Sequence, residues 1–587
     1  MNIKHTFVAF IALLSSLEPM MAQELDPTVV VNKAYEGKLV QVHKPAIEME
    51  VADSLTRFDL DFDYLVFDQP YKGADGFTPY VLAMKPASVV PDAKNLYLKA
   101  GAGYTLHPTL DFVWSPLNNG TFKMDVYAEH DSYIGNYRSF RPGEQEGEVL
   151  KVDRWRETGG DQAHWAGYDM ESKAGVDGRF EFSSFSAGFA VSYYGLASKD
   201  LEKSRMYDAV NAKIGLSSKP KSGSYFKYDL LASYRFAEDK MKYVIYGQDY
   251  LGEHLIDVDA TFGQVMSGGH SILFDVESDV AIYAPTVVSQ LSLVPRYALV
   301  KGRWTLDAGV RLSAIIRSQT AEGLFNTRGQ AVYPAVKAGF AVIPDAMRLY
   351  AHVGGGNKLN TYASLLERNH HTDTRFDVDQ ATGLMNVTVE RLSASLGAEG
   401  RIGSVFSYNL RAGYVNYGSD VLDAVILTTR PVSGERCFLP GFAYAPYQKL
   451  FASADWRMVS ERIRFDGEIQ YAHTWGLDSQ VGLFAPASLT GNVSFEYNWK
   501  RRIFAGVDCG FSTGRHGNVW VKIPGGPGKE TAVIPGYVDL GVNFEYAVNR
   551  SFSVWARGGN LLDMTIQRNP LYAEKGLSLT AGICLNL

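Results

Sequence analysis

The sequence predicts an all-β chain: a transmembrane antiparallel β-barrel of about 22 strands, preceded by a short N-terminal segment. Three observations carry this prediction. The composition is 13% aromatic, with 34 tyrosines and 56 glycines, and Ala- and Leu-rich helical stretches are scarce, as in β-proteins. From residue 94 onward, two-faced segments about ten residues long recur between turns. The connections between them alternate between minimal and long, which is the habit of outer-membrane barrels.

Residues 1–22 read as an export signal. Lys4 and His5 precede the apolar run TFVAFIALLSS, and MMAQ offers cleavage after Ala22. That run is too short to span a bilayer as a helix, and no later segment supplies the roughly 20 apolar residues a helix needs. Residues 23–93 form a distinct segment, rich in Pro and Val and containing the acidic stretch FDLDFDYLVFD (58–68). It is expected either to extend into the periplasm or to thread into the lumen. Residues 94–587 are the predicted barrel.

Within the barrel the two faces separate cleanly. In WTLDAGVRLSA (304–314), Trp304, Leu306, Ala308, Val310 and Leu312 oppose Thr305, Asp307, Gly309, Arg311 and Ser313. In IRFDGEIQYAH (463–473), Ile463, Phe465, Gly467, Ile469 and Tyr471 oppose Arg464, Asp466, Glu468 and Gln470. In GYVDLGVNFEY (536–546), Val538, Leu540, Val542, Phe544 and Tyr546 oppose Asp539, Gly541, Asn543 and Glu545. Alternation puts these sets on opposite sides of a strand. No helices or second core remain to cover so many apolar faces, so those faces are expected to meet lipid. The lumen then takes Asp307, Arg311, Arg464, Asp466, Glu468, Asp539 and Glu545. Closure is required, because unpaired backbone groups are costly in hydrocarbon.

The short connections are 219–224, 267–269, 301–303, 344–346, 460–462, 500–501 and 549–550; the long ones are 133–163, 355–384, 418–446 and 513–535. Short turns are expected on the periplasmic side, together with both termini. The last strand, GLSLTAGICLNL (576–587), is expected to close the barrel against NLYLKAGAGY (95–104).

Function classes are narrowed by charge and by what the motifs lack. Lys+Arg 57 against Asp+Glu 64 gives a net charge of −7, which offers no case for nucleic acid. Three cysteines, Cys437, Cys509 and Cys584, imply neither a disulfide framework nor a metal cluster, since Cys509 and Cys584 fall on opposite faces. His370, His371, Asp373, Asp377 and Asp379 crowd one predicted external loop, without the spacing of a metal site; a solvated loop is expected. Asp59, Asp61 and Asp63 share one strand face about 7 Å apart, too far for a compact ion site. They are expected to oppose lumen bases such as Arg311 or Arg464. DSL (53–55) is a weak match to an O-glycosylation acceptor. His164, His352 and His473 lie on or near strands with no nucleophile motif beside them. No enzyme activity, cofactor or metal is expected.

FSVWARGGNLLDMTIQRNPLYAEKGLSLTAGICLNL (552–587) resembles the C-terminal end of TonB-dependent receptors, with Asn560, Leu561, Leu562, Asp563 and Tyr572 at the matching places; those barrels often end in Phe, where this chain has Leu587. VGGGNKLNTYASLLERN (353–369) and TVVVNKAYEGKLVQVHKPAIEM (28–49) resemble receptor-like barrels common in the Bacteroidetes. The resemblance implies an outer-membrane transport-type barrel that captures and passes an unknown ligand. The partners it implies are membrane lipid and lipopolysaccharide, a surface lipoprotein, and TonB. Thr28, Val29, Val30 and Val31 would be the TonB-box-like segment, although an ordinary β-prone stretch explains them as well. Such receptors carry a plug of well over a hundred residues, and this chain has about 70 before its barrel. That departure supports a second reading, a structural or assembly subunit of a multi-protein outer-membrane complex.

Overall fold

A computed structural model describes residues 95–587, apart from residues 105, 119, 139, 147–148, 158–163, 200–202, 244–246, 284–285, 319–327, 345, 373–384, 430–435, 478–482 and 524–525. The TonB-box-like stretch Thr28–Val31, the triplet 53–55 and the acids Asp59, Asp61 and Asp63 lie outside the described residues, as do Asp373, Asp377 and Asp379.

Twenty-two antiparallel strands pair in sequence order, from Leu96–Tyr104 to Ser578–Asn586. The last returns to the first: Tyr97 opposes Asn586, and the ladder continues to Tyr104 opposite Leu579. Reciprocal backbone bonds between Leu96 and Leu587, 2.9 and 2.8 Å, finish the seam. Closure leaves the sheet without an edge. Among the described residues no helix is long and apolar enough to cross a membrane, which has no bearing on crossing by strands.

In several strands the predicted apolar face is the exposed one. Trp304, Leu306, Val310 and Leu312 are exposed on the outside of the wall, as are Val538, Val542, Phe544 and Tyr546. In the last strand Leu579 and Ile583 point out, while Ser578, Thr580, Cys584 and Asn586 are buried inward. Exposed aromatics, among them Phe182, Phe226, Trp304, Tyr497, Trp499 and Tyr546, gather beside the short turns. This is the girdle that amphipathic rings form at a membrane interface. Cys509 and Cys584 are free thiols.

The predicted long connections need correction. Segment 418–446 is not a loop: the strands Phe406–Thr429 and Arg436–Val459 run 24 residues each and pair almost to their tips. Segment 513–535 is a separate hairpin, Arg515–Ile523 with Gly526–Ile534, and Phe140–Glu146 pairs with Val149–Glu157 in the same manner. Segment 355–384 begins as strand up to Leu359 and then forms the helix Tyr362–Arg368. In each case backbone pairing continues past the apolar alternation, because paired strands satisfy their own polar groups whether or not lipid is beside them.

The wall is therefore uneven. At the seam its strands are 8 to 10 residues long: Phe552–Gly559, Ser578–Asn586, Leu96–Tyr104 and Thr109–Asn118. That is close to the 9–11 residues a tilted strand needs to cross a bilayer. Seven and eight strands back from the seam, the 24-residue strands project well beyond that length at the long-loop end.

Candidate functional site: the lumen and its seal

A cavity of about 1,880 Å³ runs inside the wall, from Arg303 and Arg401 at the short turns to Arg568 and Lys575 near the other end. Its charges are largely cross-linked. Arg296 bridges Asp275 and Asp307, each at 2.5 Å. Arg311 holds Glu277 bidentately, at 2.5 and 3.2 Å. Arg464 meets Asp466 at 2.5 Å, and Arg457 approaches the same carboxylate at 3.3 Å. Asp539 pairs with Arg568 at 3.1 Å, and Glu545 accepts a bond from the Ser553 hydroxyl at 2.5 Å.

Of the seven charged residues singled out from sequence, Asp307, Asp466, Glu468 and Asp539 line this cavity. Only Arg464 and Asp466 contact one another; the rest are spread around the wall. Glu468 lies directly opposite Asp455 on the neighbouring strand. Such a like-charge cross-strand pair costs free energy unless something compensates it.

At the long-loop end two segments fold inward. The first contains the helix Tyr362–Arg368. Thr361 caps it: its hydroxyl accepts from Ser364 N at 3.3 Å, and Asn369 N closes the far end on Leu365 O at 2.9 Å. Seven residues are too few for a helix to persist alone; packing sustains this one. Tyr362, Ala363, Leu365 and Leu366 are buried among wall residues including Tyr207, Leu255, Ala281, Tyr283, Val288 and Ile315. The expected solvated loop is thus, over residues 360–372, a buried insert. Its four core residues carry apolar surface that the wall removes from water.

Polar contacts fix the helix. The Tyr362 hydroxyl donates to Asp239, whose carboxylate also takes Arg205 at 3.1 Å in a fully buried pair. Tyr362 N donates to the Tyr283 hydroxyl at 3.0 Å, and that hydroxyl donates to Glu253. Ala363 N reaches Glu253 at 3.3 Å. Arg205 further donates to the carbonyls of His370 and Thr372. At the other end of the helix, Arg368 meets Asp423 at 3.3 Å, and Arg515 binds the same carboxylate.

The second inward segment is 560–577. Asn560 adopts φ +45° and brackets Met564, accepting from its N at 3.0 Å and donating to its O at 2.8 Å. Asn tolerates this left-handed backbone better than most residues. Arg138 ties the turn through Asp563 at 2.8 Å and Thr565 at 2.6 Å. Tyr572 packs on the buried cluster of Tyr133, Tyr137 and Trp165.

The two segments touch. The His371 ring stacks on Tyr572 with centroids 3.7 Å apart and planes within 5°. His370 Nδ1 lies 3.5 Å from Asp169. A cavity of about 220 Å³ sits between them, lined by Tyr137, Asp169, His370, His371, Tyr572 and Glu574. Burial alone pushes the His370 imidazole down, but the Asp169 carboxylate outweighs it and holds the pKa above the ordinary histidine value. Burial pushes the Glu574 carboxyl up.

Sequence reasoning did not find the residues that hold the seal: Arg205, Asp239, Glu253, Tyr283, Tyr362 and Arg368. One usable signal was present, since Thr361 before YASLLER is a helix start followed by good helix formers. Of the histidines noted on strands, His352 is buried in the wall, and His473 tilts against Trp475 with centroids 5.7 Å apart.

No family model matches the chain, and none of the curated proteins does. Solved structures do match it. The siderophore receptor PirA from Acinetobacter baumannii aligns with a TM-score of 0.55 at 10% identity, over 84% of this chain and 80% of that one. The copper transporter OprC gives 0.58 at 10% identity over the same shares. The FrpB iron transporter from Neisseria meningitidis gives 0.57 at 9% identity, over 85% and 82%. At such identities the likeness shows the fold alone: a closed barrel of the kind this receptor and these transporters have.

Proposed function

We propose that this chain is a bacterial outer-membrane barrel of transport type, similar to TonB-dependent receptors, which captures an unidentified ligand at its long-loop end and passes it along the polar lumen. One observation carries the reading: a closed 22-strand wall, apolar outside and charged inside, has its long-loop end filled by the chain's own inward-folded segments. A purely structural wall has no need of a charged cavity about 1,880 Å³ in volume. The solved siderophore, iron and copper receptors or transporters that share the fold support the transport class. They do not identify a ligand for this chain.

In this reading the apolar outer face meets lipid, the short turns and both termini are periplasmic, and the projecting strands and hairpins are extracellular. Residues 1–22 direct export, and 23–93 lie before the barrel. Thr28–Val31 would pair with an energy-coupling protein by strand addition. Deleting 26–34 tests that role: uptake that survives the deletion removes it.

Purified protein in detergent should show heat-modifiable mobility and a β-dominated circular dichroism spectrum. It should also produce ion conductance in planar bilayers once the seal is loosened. Recovery from gentle affinity purification as a stoichiometric complex, with no conductance from any variant, would instead support the assembly-subunit reading.

A further inference from the structure

Three features of the stretch Thr361–Thr372 distinguish it from ordinary core. First, the wall does not depend on it. At the ends of the two flanking wall strands, Asn360 N bonds Asn386 O at 2.9 Å, and the Asn360 amide bonds Thr388 Oγ1 at 2.9 Å. The flanking strands Met347–Leu359 and Val387–Ile402 therefore stay paired wherever the stretch goes. Second, the helix is too short to hold its shape once released, so leaving the wall converts it to a flexible strap without breaking a wall hydrogen bond.

Third, the wall behind it sets hydrogen-bonding groups, Tyr207, Asp239, Glu253 and Tyr283, among apolar ones such as Leu255, Ala281, Val288 and Ile315. Arg205–Asp239 and Tyr283–Glu253 are bonds within the wall and survive its departure. The bonds specific to the closed state include those of the Tyr362 hydroxyl, Tyr362 N and Ala363 N, Glu367 to Arg235 at 3.4 Å, Arg368 to Asp423 and to the Val421 carbonyl, and Arg205 to two carbonyls. Each can be exchanged for a bond to water. Buried oxygens Asp239 Oδ1, Glu253 Oε2 and Tyr207 Oη have no hydrogen-bond partner among the protein groups. Hydration would satisfy them. On its other side the stretch meets segment 560–577 chiefly through one ring stack and, beside it, meets the wall through one ion pair, His370–Asp169.

Resting on the transport reading above, we propose that the stretch Thr361–Thr372 is the displaceable gate of the lumen, latched shut by Tyr362 on Asp239 and by the helix N-terminus on Glu253 and Tyr283. It does from inside the barrel wall what a separate plug does elsewhere. Solute passes when this strap leaves the wall, with the 22 strands unchanged.

The full chain in planar bilayers tests this with two variants. One replaces residues 361–385 by Asn-Gly, a two-residue turn suited to the spacing of Asn360 and Asn386. The other combines Tyr362→Phe with Glu253→Gln, which weakens the latch and leaves the chain length unchanged. The wild type should be mostly closed with rare openings. The latch variant should raise open probability about tenfold, the effect of losing one or two hydrogen bonds, at unchanged unit conductance. The excision variant should be continuously open. Heat-modifiable mobility of each protein shows that it has folded. An excision variant that inserts yet conducts no more than wild type overturns the proposal. So does a latch variant indistinguishable from wild type beside an open excision variant, which would mean a fixed plug. Failure of every protein to partition into bilayers would sink the membrane reading itself, and the gate with it.

Discussion

Neighbouring positions Ile469 and Gln470 offer a sharp test of which face of the wall meets lipid. They lie on the strand Ile463–Trp475, at the same height but on opposite faces. Ile469 pairs with Ala454 and Gly491 on one face, and Gln470 with Ser453 and Thr490 on the other. Ile469 is six residues above the strand's start at the short-turn end. Six residues at ~3.3 Å, tilted by ~40°, rise about 15 Å, close to the middle of an apolar band about 25 Å tall. Arginine at such a depth on the lipid face costs about 2–4 kcal/mol. Ile469→Arg should therefore lower the folding constant by roughly 30- to 700-fold, at about 1.4 kcal/mol per decade. Gln470→Arg places the same charge in an aqueous lumen near Glu468 and should cost less than about 1 kcal/mol. Equilibrium urea unfolding in lipid vesicles, followed by tryptophan fluorescence, measures both. Equal costs, or a larger one for Gln470→Arg, would refute the assignment of faces and with it the membrane reading.

Other predictions follow from the seam, the lumen and the seal. Gly582→Val sets a side chain against the Ala100 carbonyl and Gly101 Cα; overpacking there should cost at least about 1–3 kcal/mol, seen as loss of the heat-modifiable form. Arg296→Met leaves Asp275 and Asp307 facing each other and should destabilise by about 2–4 kcal/mol; adding Asp307→Asn should recover part of it in a double-mutant cycle. The contact of His370 with Asp169 should depend on pH. Because its folded pKa lies above the ordinary value of about 6.5, the charged pair contributes fully below pH 6.5 and fades as pH rises through the folded value. Channel openings should thus grow more frequent on the alkaline side, and His370→Gln should flatten that dependence; a wild type whose openings do not vary with pH would exclude the pair from holding the seal.

Much of the barrel was legible because a strand between lipid and water is forced into alternation. GLSLTAGICLNL shows this: its odd residues point outward, its even residues inward, and its backbone pairs with Leu96–Tyr104 in the expected place. The short turns were equally plain, since only a few polar or glycine residues fit between strands that must reverse at once. The alternation ceases to inform where lipid ends. Above the apolar band both faces of Phe406–Thr429 and Arg436–Val459 carry mixed residues, so 418–446 read as loop although its backbone remains paired.

The sequence by itself determined the fold class, the direction of each face and the pairing of the last strand with the first. All three follow from local periodicity and from the rule that backbone in hydrocarbon must be paired. Only the tertiary structure decided what fills the long-loop end. Arg205, Asp239, Glu253 and Tyr362 span more than 150 positions of sequence and meet only because the closed wall carries their strands around one lumen. A helix of seven residues gives little sign of itself in a sequence, because its stability belongs to the wall it packs against.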